Sequence, residues 1–87
     1  MITHPKIGEY VIFKSRALKR SVVGRIVDVK SHVMLLSYKN PKKIEEFSLD
    51  DFIWIYKENV VCRVSERTLI MHTLQYGELP VEYGQVS

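Results

Sequence analysis

Eighty-seven residues suffice for one hydrophobic core and leave nothing to bury in a second, and 46% hydrophobic with 26% charged residues is a globular balance, not a disordered one. The longest apolar stretches, 33–36 and 52–56, fall far short of the roughly 20 residues that span a bilayer, and the opening Met-Ile-Thr-His-Pro-Lys lacks the apolar centre of a signal peptide, so a cytoplasmic protein with no membrane partner is expected. The net charge of +3 is unevenly spread: residues 1–43 carry ten Lys/Arg against Glu9 and Asp28, a balance of +8, while residues 44–87 carry three against eight acids, a balance of −5.

Strand signals dominate the first two thirds. Residues 9–14 (EYVIFK) and 22–30 (VVGRIVDVK) are rich in β-branched and aromatic residues, and Ser31-His32 breaks them from 33–38 (VMLLSY), which is apolar on both parities. Lys39-Asn40-Pro41-Lys42-Lys43 reads as a turn, since proline presets φ and cannot donate to a ladder. A fourth strand is expected over 44–49, with Phe47 and Leu49 on one face. Asp50-Asp51 interrupts it, and Phe52 to Tyr56 closes the series. Five short strands with no helical crossover predict a small antiparallel barrel.

The last third reads two ways. Ser65 at an N-cap, Glu66 in the first turn and Gly77 at a C-cap predict a helix over 65–76. The alternation of Val60, Cys62 and Val64 with Leu69, Met71 and Thr73 would equally suit a hairpin. The chain is therefore expected to be one domain, 1–87: a barrel over 5–56, a helical or hairpin appendage over 57–77, and a loose tail over 78–87.

Several residues invite chemistry. Arg16, Lys19 and Arg20 fall in the loop after the first strand, and Lys39, Lys42 and Lys43 in the turn after the third. Such cations can track a phosphate backbone, or simply keep turns soluble. In the register that a resemblance to a small-barrel family implies, Val11, Phe13, Phe47, Leu49, Phe52 and Ile55 point inward, which leaves Tyr10, Tyr38, Trp54 and Tyr56 as outer-face aromatics that would stack bases or anchor a protein, unless residues 60–76 cover them as a second core. The acids Glu45-Glu46 and Asp50-Asp51 are adjacent pairs that point apart on a strand, so a turn ahead of a short helical step is the better reading. No metal-ligand spacing links His4, His32 and His72. A lone Cys62 gives no zinc pair, and no nucleophile elbow or phosphate loop occurs, so neither a cofactor nor an enzymatic activity is expected. Residues 65–69 have the flavour of a helix-turn-helix recognition helix, but the preceding 59–64 is too β-like to be its partner.

Residues 5–56 resemble a KOW-type or Tudor-type SH3-like barrel, most nearly the C-terminal domain of the NusG transcription factors. The resemblance is carried by Gly8-Glu9-Tyr10-Val11, Gly24-Arg25-Ile26-Val27-Asp28-Val29, Val33 to Tyr38, the Asn40-Pro41 turn and Phe47 to Phe52. The opening is also similar to the RNA-polymerase-interacting domain of the CarD type. One feature departs from the pattern: the first loop, 15–21, is basic and has no KOW glycine. The resemblance implies an all-β, five-stranded domain that binds nucleic acid, RNA polymerase or a ribosomal partner. The expected function is thus a nucleic-acid-binding module in transcription or translation, the alternative being a protein-docking module.

Overall fold

A computed structural model describes residues 3–39 and 41–80. Five strands, β1 (Tyr10–Ser15), β2 (Arg20–Val29), β3 (Val33–Ser37), β4 (Phe52–Tyr56) and β5 (Val60–Val64), precede one helix, α1 (Glu66–Tyr76), with short 3-10 turns at Ile44–Glu46 and Lys57–Asn59. The strands form one antiparallel sheet in the order β4-β3-β2-β1-β5, so the last strand returns to lie beside the first. Arg63 on β5 holds the Glu9 carboxylate at 2.8 Å just ahead of β1. Burial raises the pKa of that carboxyl, but the Arg63 hydrogen bond, the Lys6 N–H and the two positive charges outweigh it and hold it below its ordinary value.

Each face of the sheet has its own core. On one face Val11, Phe13, Val22, Ile26, Met34, Leu36, Ile55 and Val60, drawn from all five strands, form a single buried cluster to which α1 contributes nothing. Gly24 lies in this layer because nothing larger fits: a Cβ there would meet Phe13 Cε1 at 2.7 Å and Leu36 Cβ at 3.2 Å. Register shifts at Ile12/Phe13 in β1 and Ile26/Asp28 in β2 supply the bends that β-bulges give a curved sheet. On the other face Ile12 and Val23 pack with Leu69 of α1 and with Leu79, flanked by Tyr10, Ile44, Phe47, Cys62 and Val64.

The helix forms at the residues its caps mark. Ser65 Oγ accepts from Thr68 N–H at 3.1 Å, and Gly77, at φ 80° in the left-handed region, donates to Thr73 O at 2.7 Å. The hairpin reading of this segment fails, and so does the recognition-helix reading, since a strand and not a helix precedes α1.

Three further expectations are corrected. No strand occupies 44–49. The Lys42 N–H donates to the Glu46 carboxylate at 2.7 Å, the Asp50 N–H to Ser48 Oγ at 3.0 Å, and the buried Ser37 hydroxyl to Ser48 O. These local bonds replace a ladder with a 3-10 turn and a loop. The helical step thus precedes Asp50-Asp51 instead of following it, and Leu49 is 71% exposed. The fifth strand is instead Val60–Val64, so the sheet runs past 56 into the segment expected to be an appendage. Leu79 and Pro80, expected in a loose tail, are buried, with the Leu79 N–H donating to Lys42 O at 2.7 Å. The rest of that tail, 81–87, and Asn40 of the expected turn lie outside the described residues.

Candidate partner-binding surfaces

The basic residues gather by strand register. Ser15 pairs with Arg20 across the β1–β2 turn, and β3 ends at Ser37 opposite Arg25 and Phe52, level with Tyr10 and five residues short of that turn, so the chain leaving β3 runs on in the direction of the turn. Packing reinforces this: Tyr38 sets its ring edge-on to Phe13 with centroids 6.4 Å apart. Arg16, Lys19, Lys39, Lys42 and Lys43 are exposed in these segments, and Lys14 adds a further exposed cation on β1. Arg20 differs from the expectation in lying on β2, half-buried and engaged with a neighbour. Lys39 Nζ stands 3.5 Å from Asp51 Oδ1. Lys19 and Lys39 take left-handed φ values of 58° and 117°. Seven cations (14, 16, 19, 20, 39, 42 and 43) meet four acids (45, 46, 50 and 51) in these segments, which leaves the two segments together positive.

The expected outer-face aromatics divide. Tyr10 is half-buried in the second core: its ring lies 5.4 Å from that of Phe47, and the Arg25 guanidinium sits 5.8 Å from its centroid. Desolvation pushes the Tyr10 phenol above its ordinary pKa, with the Arg25 charge opposing and Glu66 assisting. Tyr38 is half-buried against the first core. Tyr10 thus follows the second-core alternative, whereas Tyr38 is a correction, turned inward by its packing on Phe13. Trp54 and Tyr56 remain 48% and 59% exposed.

Phe52 joins them, at 42% exposed, against its expected inward place. The reason is strand period: 52 and 55 differ by an odd number, so they cannot share a face, whereas 52, 54 and 56 must. Ile53 and Ile55 fill the core side instead. Across the ladder Phe52, Trp54 and Tyr56 oppose Ser37, Leu35 and Val33, and Lys30 Nζ lies 5.5 Å from the Trp54 ring centroid. The face is the one α1 occupies over β1 and β5, but the helix stops short of β3 and β4. Phe52 and Lys30 are the residues the sequence reading missed here; the alternation of Phe52, Trp54 and Tyr56 was the signal for the first.

Elsewhere, α1 exposes Ile70, Met71, Leu74 and Tyr76. Cys62 is half-buried and its thiol pKa is raised by burial. Among the described residues no three His, Cys, Asp or Glu side chains converge as metal ligands, and no helix is long and apolar enough to cross a membrane. No family model matches the chain, and neither a curated protein nor a solved structure matches it.

Proposed function

We propose that this chain is a non-enzymatic nucleic-acid-binding module on a small SH3-like barrel of the KOW or Tudor type, gripping phosphates largely without sequence specificity and acting in transcription or translation in the cytoplasm. The observation that carries the reading is the exposure of Arg16 and Lys19 in the β1–β2 turn and of Lys39, Lys42 and Lys43 in the segment after β3, which leaves its strand in the direction of that turn. Arginine can hold phosphate through two N–H groups, and lysine acts as a mobile point charge, so a mixed cluster suits a polymer of phosphates better than one small anion. The barrel reading is supported by the return of β5 to β1, by the two bulges, and by a core drawn from every strand on a face no helix covers.

The test is binding of the full chain to labelled DNA and RNA as salt is varied, alongside a variant carrying Arg16→Glu, Lys19→Glu, Lys42→Glu and Lys43→Glu. Exposed charges add little to folding, so the variant should melt within a few degrees of the wild type. It should bind duplex far more weakly, and the logarithmic salt slope of the binding that remains should fall by about 0.9 for each phosphate contact removed. Absence of wild-type binding to either polymer at low salt would refute the reading. A second reading, docking on RNA polymerase or another large assembly, draws on the exposure of Trp54 and Tyr56. A protein partner would then bind the charge-reversed variant with slower association and unchanged dissociation.

A further inference from the structure

We propose that the favoured ligand is a single strand of nucleic acid, laid along β4 with successive bases stacked on Phe52, Trp54 and Tyr56. The proposal rests on the nucleic-acid reading above and narrows it from nucleic acid in general to unpaired strands. Alternate residues on a strand project to one face about 6.7 Å apart. That is roughly twice the 3.4 Å that separates bases along one strand of a duplex. Bases separated by that distance leave room for one ring between neighbours, a geometry an extended single strand reaches and a paired, stacked duplex does not.

All three rings are available, since each is more than two-fifths exposed and α1 leaves this half of the sheet bare. Across the ladder the half-buried Val33 and Leu35 stand beside Tyr56 and Trp54. Cations border the row at both of its ends and at its centre. Lys30 reaches the Trp54 ring, Lys57 follows Tyr56, and Lys39 lies in the segment that follows Ser37, the cross-strand partner of Phe52. Of the nearby acids, Asp51 is held by Lys39, Asp28 on the far side of Leu35 accepts from the Val29 N–H, and Asp50 and Glu58 are exposed. Phe52 stands at the end of β4 nearest the basic loops, so the backbone of a strand leaving the aromatic row meets the cations at that end. Stacking is indifferent to base identity because every base has a π-face, which agrees with binding through phosphates.

Trp54 is the one tryptophan of the chain, so its fluorescence reports directly on the row. The experiment titrates the full protein with a 15-nucleotide oligo-dT, a 15-nucleotide oligo-U and a 15-base-pair duplex, following both Trp54 emission and the anisotropy of a labelled strand. Single strands are expected to quench Trp54 and to bind at least tenfold more tightly than the duplex. Phe52→Ala, Trp54→Ala and Tyr56→Ala should each weaken single-strand binding by about tenfold while leaving the salt slope and duplex binding unchanged. Trp54→Phe, which keeps a ring, should restore most of the loss. Circular dichroism melts confirm that each variant is folded. Equal affinity for duplex and single strand with no quenching would overturn the proposal and leave the basic-end reading standing. Single-strand binding untouched by all three alanine variants would do the same, and would hand the row to a protein partner. No binding of any of the three probes at low salt would refute both readings together.

Discussion

Gly24 shows how little room the first core leaves. A Cβ at this position would lie 2.7 Å from the edge of Phe13, itself fully buried between strands, and 3.2 Å from Leu36. The ring has nowhere to retreat, so Gly24→Val is an overpacking change of about 1–3 kcal/mol, expected to lower the melting temperature by roughly 4–20 °C in a domain of this size. An unchanged melting temperature would mean that Phe13 is not confined as described. The sequence carried part of this. A glycine between two valines and an apolar run is a place for a close backbone approach, and Val11, Phe13 and Ile55 face inward as the resemblance implied. Phe52 was misjudged because two inward residues were set an odd number apart on one strand, which the pleat forbids.

At the level of elements, α1 is held by few contacts. Leu69 is its one buried residue, while Ile70, Met71, Leu74 and Tyr76 are exposed. The helix depends on that anchor, on the cap at Ser65, and on the 78–80 segment, where Glu78 O bonds His72 Nδ1 at 2.7 Å. Leu69→Ala should cost about 2–5 kcal/mol. Hydrogen exchange should show the amides of α1 losing protection well before those of β1 and β2, because the first core does not touch the helix. Uniform loss of protection across sheet and helix would contradict two separate cores. The helix was legible because caps are local chemistry written in adjacent residues. The strand character of Val60, Cys62 and Val64 was legible in their alternation, but their pairing was not, because their partner, β1, lies some fifty residues earlier. The 44–49 segment misled because its hydrophobes fit a strand, whereas the Lys42–Glu46 and Ser48–Asp50 bonds that fold it otherwise depend on geometry that a hydrophobic pattern does not record.

Over the whole molecule, an antiparallel meander collects in space what the chain holds apart. The basic half of the sequence supplies β1, β2 and β3, and the turns that join or leave them at one end carry most of its exposed cations. The aromatic row belongs to the acidic half, on β4, and the ladder with β3 sets it on the uncovered part of the opposite layer from the first core. Charge counts alone showed the asymmetry but not the convergence, which requires the register. The central claim is that a phosphate polymer lies across this end of the sheet, and the most direct test is a nitrogen-15 heteronuclear NMR titration of the full chain with an unlabelled oligo-dT strand. The expected result is salt-sensitive shift changes confined to residues 14–20, to 39, 42 and 43, and to the outer face of β4, with the Trp54 indole N–H among the largest. Shift changes centred instead on the exposed face of α1, around Ile70 and Leu74, with the basic turns unmoved, would contradict it.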